Sequence, residues 1–321
     1  MSGGSRKYLV TGGAGFIGSN IVEALLRRGE SVVVLDDFCT GRRDNLDAVL
    51  KALQGGEREL EIIEGDIRNA ATVRMAMRGV SCVLHQAALP SVQRSIEDPV
   101  SSHEVNSSGT LNLLVAARDA GVGRFVYASS SSVYGDSAQL PKVETMTPAP
   151  LSPYAISKLA GEYYCRVFHG LYGLQTISLR YFNVFGPRQD PGSPYAAVVP
   201  NFINAIASGK PPVVHGDGLQ SRDFTYIGNA VDANLKACEA PPRAAGRAYN
   251  IACGQSATLL DLLRILWRLS GSTIAPIHER PRPGDVRHSL ADISQAREAF
   301  NYEPRVGLEE GLRHTIAWFR G

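Results

Sequence analysis

Cysteine is scarce and scattered in this chain, and that scarcity excludes two functional classes at once. Five cysteines stand singly, at Cys39, Cys82, Cys165, Cys238 and Cys253. None forms a C-x-x-C pair, and no ligand spacing of a metal site accompanies them, so no metal is expected. An odd, dispersed set is a poor disulfide framework and suits a reducing compartment, which makes a cytoplasmic location the expectation. Long apolar runs are missing as well. No stretch approaches the ~20 residues that a membrane-crossing helix needs, and the N-terminus lacks a signal-peptide core. Nor is there a surplus of charge: 33 Lys and Arg against 31 Asp and Glu leave a formal net charge of +2. That balance gives no electrostatic reason to expect a nucleic acid or a membrane surface as partner. The pairs Arg27-Arg28 and Arg42-Arg43 read as solvated helix ends and loops.

What is there is the composition of a globular protein, 44% hydrophobic and 20% charged over 321 residues, enough to bury a sizeable core. The chain is organised around Val10-Thr11-Gly12-Gly13-Ala14-Gly15-Phe16-Ile17-Gly18. A β-prone run, Lys7 to Val10, precedes it, and Ile21, Leu25 and Leu26 follow at helical spacing. The glycines therefore sit at a strand-to-helix turn. Gly12 permits the turn, Gly15 lets the backbone approach a pyrophosphate, and Gly18 lets the helix pack closely on the sheet. A glycine pattern alone is weak, but a second buried strand, Ser31 to Leu35, ends in Asp36 about 20 residues on, where an acid would hold an adenosine ribose.

Strands and helices then alternate: a helix from about Asp44 to Gln54, a strand Leu60 to Ile63, a strand Val80 to His85, a helix from about Val100 to Ala120, and a strand Arg124 to Ala128. This is the pattern of an α/β protein with a Rossmann-type, doubly wound parallel sheet. Asp66, after the third strand, could cap the next helix or reach an adenine amino group. The small residues of Gln86-Ala87-Ala88 would let a flat cofactor lie against the backbone. Asn106 is a polar amide inside a helix that packs on a sheet, so it needs a partner, local or bound. Strand five opens into Ser129-Ser130-Ser131-Ser132-Val133-Tyr134-Gly135. A serine run elsewhere would read as a flexible loop, but this one leaves the carboxyl end of a central strand, where ligands collect. Ser152 and Pro153 read as the cap and first residue of a helix, which sets Tyr154 and Lys158 four apart on one face. A sixth strand, Leu174 to Phe182, closes a dinucleotide-binding domain expected to span residues 1–182. Residues 183–321, richer in proline and glycine with shorter helices, read as a smaller mixed α/β lobe closing over the ligand edge, with chain exchange between the two. Leu308, Leu312 and Ile316 mark a final helix that docks on something.

Taken in order, T-G-G-A-G-F-I-G, S-S-V-Y-G, Y-x-x-x-K, L-R-Y-F-N-V-F-G-P-R, S-R-D-F-T-Y-I and P-G-D-V-R-H-S resemble the extended short-chain dehydrogenase/reductases. Within them the sequence resembles the nucleotide-sugar 4-epimerases of the UDP-glucose and UDP-N-acetylglucosamine type, over essentially the whole chain. The resemblance implies that Gly12, Gly15, Phe16, Ile17 and Gly18 line a pyrophosphate, and that Asp36 selects NAD over NADP. It implies that Asp66 and Ile67 hold adenine and that Ala87 and Asn106 line the cofactor's path. Tyr154 would be the base, Lys158 would bind the nicotinamide ribose, and Ser130 would bridge Tyr154 and the sugar. Asn183, Val199, Arg222, and Arg282 with Asp285 fall on positions that hold UDP. A free tyrosine titrates near ~10, so the resemblance also implies a lowered value, from the lysine and a positively charged nicotinamide. A homodimer is implied through the helix from Val100 and the helix bearing Tyr154, although their apolar positions could equally face the sheet.

The related dehydratases carry an Asp-Glu pair after the catalytic hydroxyl, and UDP-glucuronate decarboxylases a glutamate before V-Y-G; here Ser131 and Ser132 stand instead. The segment Gln86 to Ser95, which includes Ser91, resembles epimerases that accept N-acetylated sugars. Ser289 stands where glucose-only epimerases have a bulky tyrosine, leaving room for a 2-acetamido group. The expected reaction is therefore C4 epimerisation of UDP-GlcNAc and UDP-GalNAc, with UDP-glucose and UDP-galactose alongside. A UDP-glucuronate 4-epimerase is the alternative, with Arg94 as the candidate partner of the sugar carboxylate, and a non-catalytic NAD-binding sensor is a more distant one.

Overall fold

The computed structural model describes residues 6–53, 59–192, 197–281 and 286–320. Seven parallel strands form the main sheet: β1 Lys7–Thr11, β2 Ser31–Asp36, β3 Leu60–Glu64, β4 Cys82–His85, β5 Arg124–Ser130, β6 Gln175–Tyr181 and β7 Arg247–Ile251. Their order is β3-β2-β1-β4-β5-β6-β7. The order reverses between β1 and β4, and the crevice outside that reversal is where open α/β sheets bind ligands. Register fixes what meets there. Thr11 lies beside Leu35 and His85, His85 beside Tyr127, and Ser130 beside Tyr181. Every residue of β2 is buried, which explains its unbroken apolar run: helices cover both faces of the sheet. The edge strand β3 instead exposes Glu61 and Glu64, charges that discourage pairing with another chain.

Helix α1 (Phe16–Arg27) buries Ile21, Val22, Leu25 and Leu26 against the sheet, as their spacing predicts. Helices α2 (Arg43–Ala52) and α3 (Ala70–Ala76) follow, then two short ones, α4 (Val92–Glu97) and α5 (Pro99–His103). The single helix expected from Val100 to Ala120 is divided. A π turn, Glu104–Ser108, separates α5 from α6 (Gly109–Asp119) and carries Asn106 in it. Helix α7 (Pro153–Tyr172) starts as expected: Ser152 Oγ accepts the Ala155 N–H at 3.1 Å and Pro153 takes the first position. It stops at Gly173, whose φ of 71° needs a glycine.

Beyond residue 183 the chain builds a second core and also returns to the first. Helix α8 (Val198–Ala207), α10 (Leu259–Ser270) and α12 (Leu308–Arg320) pack Phe202, Leu262, Leu263, Leu312 and Ile316 into one apolar cluster. The last helix thus docks on its own lobe, each buried leucine or isoleucine contributing roughly 1.5–3 kcal/mol. Helix α9 (Ile227–Glu239) and strand β7, by contrast, share the core of β1, β4 and β6, with Ala233, Ala237 and Ile251 buried against it. Residues 227–251 are part of the sheet layer, so a cut at 182 separates the lobes only with this return. Helix α11 (Ser294–Phe300) closes that face. Among the described residues no helix is long and apolar enough to cross a membrane.

Candidate active site

The glycine turn is built by close contacts that side chains would break. A Cβ on Gly18 would stand 2.0 Å from the Gly12 carbonyl oxygen, and one on Gly12, at φ 66°, would stand 2.7 Å from the Ala87 nitrogen. A Cβ on Gly15 would meet one atom tightly, the Gly12 oxygen, at 3.2 Å. Helix α1 starts at Phe16 and Ile17 with no side-chain cap and no acid in its first turn. Its leading N–H groups, which a helix cannot satisfy internally, are thus left for an anion. Asp36 is buried at the end of β2; its Oδ2 accepts the Ala14 N–H and its Oδ1 the Phe38 N–H, each at 2.9 Å. Burial raises its pKa against the pull of these two N–H groups. An open, uncapped helix end beside a fixed carboxylate fits a dinucleotide with an unphosphorylated ribose.

Just after β3, Asp66 is already engaged within the chain. It accepts from Arg68 twice, at its N–H (2.7 Å) and its Nε (2.8 Å), and Arg68 lowers its pKa. Ile67 is buried against Gly109, where a Cβ would meet it at 2.6 Å, so its side chain supports the wall.

Sequence reasoning missed the buried chain that fixes the strand ends behind this turn. Thr110 Oγ1 donates to the Asn106 carbonyl (2.6 Å), so it must accept from His85 Nε2 (2.8 Å). His85 Nδ1 then accepts from Thr11 Oγ1 (2.7 Å), which in turn accepts the Ala87 N–H (3.3 Å). Every proton has one place, which assigns the Nε2–H tautomer of neutral His85. Burial, helped by the nearby Lys158 charge, pushes its pKa down to about 3. Asn106 finds local partners: its Oδ1 accepts the Leu89 N–H (2.8 Å), and its Nδ2 donates to Leu89 O (3.2 Å) and Ser157 Oγ (3.1 Å). It clamps the loop after β4 onto α7. Ser91 follows in that loop at φ 114°, with Oγ accepting the Arg94 N–H at 3.2 Å.

At the end of β5 the structure brings Ser130, Tyr154 and Lys158 together. Ser130 faces Tyr154 closely enough to oppose the rise of its pKa, and its Oγ accepts the Ser132 N–H at 3.2 Å. Lys158 is buried, donates to the Ala128 carbonyl at 2.8 Å, and lies 5.8 Å from the Tyr154 ring centre. Burial drops its pKa to about 8. The expected lowering of Tyr154 is absent in the protein alone: burial raises it, opposed by Ser130. Ser131 and Ser132 begin a single 3₁₀ turn, and Ser132 Oγ is buried without a partner among the described residues.

A second missed network holds this serine turn. Arg180 on β6 grips Glu162 on α7 through Nε (2.9 Å) and Nη2 (2.7 Å), both side chains about 5% exposed, while Ser129 also donates to Glu162. Arg180 Nη1 donates to Tyr134 Oη (2.8 Å), which donates to Asn250 Oδ1 (2.7 Å) on β7. Asn250 then donates to the carbonyls of Lys142 (2.9 Å) and Asp292 (3.0 Å). A legible signal existed: Tyr154, Lys158 and Glu162 lie at i, i+4 and i+8 on one helix face, and Arg180 interrupts an apolar strand.

The lobe supplies the remaining candidates. Asn183, at φ 37°, donates to the Asp223 carbonyl at 3.2 Å. Arg222 Nη1 donates to the carbonyls of Ser221 (2.9 Å) and Arg287 (3.2 Å). Ser289, 8% exposed, lies alongside, its N–H bonded to the Ser221 carbonyl at 3.0 Å. Val199 is buried in the lobe core, so its side chain packs there. Arg282 and Asp285 lie outside the described residues. Asp223, unforeseen, accepts the N–H groups of Cys253 (2.9 Å), Gly254 (3.0 Å) and Ala291 (3.3 Å), joining β7's exit to the Ser289 segment; burial raises its pKa to about 6.

A family model described as the NAD dependent epimerase/dehydratase family matches residues 8–252. The solved structure of a UDP-N-acetylglucosamine 4-epimerase from Methanobrevibacter ruminantium, in complex with UDP-N-acetylmuramic acid, is 39% identical with a TM-score of 0.91 over 98% of each chain. A UDP-glucose 4-epimerase of Mycolicibacterium smegmatis is 38% identical over 98% of each chain. A UDP-glucuronic acid 4-epimerase from Bacillus cereus, solved with UDP-glucuronic acid and NAD, is 33% identical with a TM-score of 0.90, covering 98% of this chain and 99% of that one. Whole-length likeness of this kind, on the fold and turn described above, settles membership. The chain belongs to the NAD-dependent epimerase/dehydratase family, as an extended short-chain dehydrogenase/reductase of the UDP-sugar 4-epimerase type.

Proposed function

We propose that the protein keeps NAD resident and epimerises UDP-sugars at C4, with UDP-GlcNAc and UDP-GalNAc as substrates and UDP-glucose and UDP-galactose as an accepted second pair. NAD, when bound, supplies the oxidising equivalent that C4 gives up and takes back. Gly12, Gly15, Phe16, Ile17 and Gly18 would hold its pyrophosphate, Asp36 its ribose, and Asp66, Ile67, Ala87 and Asn106 its adenine and path. Tyr154 takes the proton of the C4 hydroxyl and returns it, and Ser130, beside Tyr154, steadies the same sugar oxygen. Lys158, pinned to the Ala128 carbonyl, adds a fixed positive charge that favours the phenolate when the site is loaded. Asn183, Val199, Arg222, Arg282 and Asp285 would hold UDP. The arginines suit phosphates, and a firm anchor leaves the sugar free to turn over between half-reactions.

One observation carries the reading: Ser130 beside Tyr154 and the Lys158 ammonium 5.8 Å from the tyrosine ring centre, with Ser131 and Ser132 where elimination or decarboxylation chemistry would need carboxylates. The orphaned Ser132 hydroxyl is a group that a bound sugar can satisfy. The short Ser289 side chain, beside Arg222's strand, supports the acetylated pair. The glucuronate reading is weaker here. Arg94 lines a cavity of about 380 Å³ with Asp37, Cys39 and Arg68, and none of Ser130, Tyr154 and Lys158 lines it. The test is to incubate the protein with UDP-GlcNAc, UDP-glucose and UDP-glucuronate separately, without added NAD, and resolve the 4-epimers. Turnover of UDP-glucuronate alone overturns the substrate assignment, and no turnover of any overturns the enzyme reading.

A homodimer is part of the same proposal. Helix α7 leaves Ile156, Tyr163, Val167 and Leu171 on one face at 48–72% exposure, beside Val100 of α5 at 66%. A contiguous apolar stripe on two adjacent helices suits an isologous contact with a second copy.

A further inference from the structure

The mechanism leaves unused a pair of buried thiols at the opposite edge of the sheet. Cys82 opens β4 and Cys238 lies near the end of α9, 156 residues apart in sequence, with their sulfurs 3.2 Å apart in a hydrogen bond. A disulfide needs about 2.05 Å, so closing the pair takes roughly 1.2 Å of sulfur movement. Arg124, the first residue of β5, faces both sulfurs electrostatically and keeps Nη1 buried without a partner among the described residues; its Nη2 is spent on Gln175 and Ala240. Tyr8 also faces both sulfurs, and Tyr181 and Glu239 face Cys238. The thiols are 4% and 8% exposed, yet each neighbours a surface residue, Ser81 and Glu239, so a small oxidant has a short path.

We propose that Cys82 and Cys238 form a redox modification site, closing to an intramolecular disulfide when a peroxide is the oxidant. The Cys82 contact and burial keep the Cys238 thiol protonated, so one thiol surrenders its proton as its sulfur attacks the peroxide O–O bond, giving a sulfenic acid and releasing water. The second thiol, losing its proton in turn, attacks that sulfur, forming the S–S bond and expelling the oxygen as a second water. Two thiols are oxidised, one peroxide is reduced, and both thiol protons leave in the waters. The link ties β4 to α9 four residues from a contact that already joins them, Gln86 Nε2 to Asn234 Oδ1 at 3.1 Å. Asn234 also donates to Tyr181 Oη at 2.7 Å, and Tyr181 to Gln86 Oε1 at 3.3 Å. Oxidation therefore reinforces one existing seam, and closing a loop of 156 residues predicts a rise in Tm of roughly 8 °C.

The experiment uses the full chain as Cys39→Ser, which removes the exposed thiol, treated with hydrogen peroxide and then alkylated and digested without reductant. The expected result is a peptide linking Cys82 to Cys238, two hydrogens lighter than its parts, with Tm raised and restored by dithiothreitol. Cys238→Ser, which keeps a donor at the site, should show neither. Sulfenic or sulfinic products without the linked peptide overturn the proposal, as does full alkylation of both cysteines after peroxide.

Discussion

Glu162→Gln removes one charge from the buried pair that carries the serine turn, and the structure says how much that should cost. Glutamine keeps the size and one acceptor, but it leaves the Arg180 guanidinium, 5% exposed, without its carboxylate. Breaking a buried ion pair from one side costs about 3–5 kcal/mol, because the remaining charge stays desolvated. At roughly 2.1 cal/mol/K of unfolding entropy per residue, a chain of 321 residues loses about 1.5 °C per kcal/mol, so Tm should fall by about 4–8 °C. An exposed pair provides the contrast. Arg268 and Glu309 are 63% and 44% exposed, and Glu309→Gln should cost under about 1 kcal/mol. The assay is thermal and urea unfolding of parent, Glu162→Gln, Arg180→Met and the double variant, read as a cycle. The double variant should be more stable than the sum of the singles predicts. If Glu162→Gln unfolds within about 1 kcal/mol of the parent, the pair is not buried as described and the account of the serine turn falls.

Lys158→Met should lose most activity while gaining stability at pH 7, because a charge held at a pKa of about 8, below its ordinary 10.5, opposes folding. In the parent this group makes stability rise with pH between about 8 and 10.5, and the variant's unfolding curve should lack that slope. His85, neutral with a pKa of about 3, works in the acid range: the unfolded chain binds a proton below 6.5 that the folded one refuses, so stability is lost as pH falls from there. Asp223 acts oppositely between 3.8 and about 6, so the comparison must be His85→Gln against parent, the variant showing the shallower acid slope. Gly18→Ala puts a methyl 2.0 Å from the Gly12 carbonyl oxygen and should purify with little NAD, read by releasing nucleotide from denatured protein. A full complement would contradict the close packing of α1 on the turn.

The fold and the ligand edge were legible because they rest on local rules. A strand ending at Thr11, glycines at required approaches and a helix begun by Ser152-Pro153 can each be read from neighbouring residues. The supporting networks were not, because they join distant strands. His85 meets Thr110 only through the β4 and α6 packing, and Tyr134 meets Asn250 across 116 residues. The π turn at Asn106 was hidden for a related reason: its residues read as helix, and the insertion serves the bonds to Leu89 and Ser157. The return of β7 to the sheet was missed since Arg247–Ile251 carries no pattern that names its partner β6. Tyr154's raised pKa shows the limit from the other side, since burial, which no local pattern measures, outweighs Ser130.

The central claim is that C4 is oxidised and reduced within one closed site. UDP-GlcNAc carrying deuterium at C4 tests it directly, with the epimerised product analysed by mass spectrometry and NMR in the presence of excess unlabelled NADH. The account predicts UDP-GalNAc with the label retained at C4 and none lost to solvent or to the added nucleotide. Wash-out of the label, or a requirement for added NAD in each turnover, would contradict it.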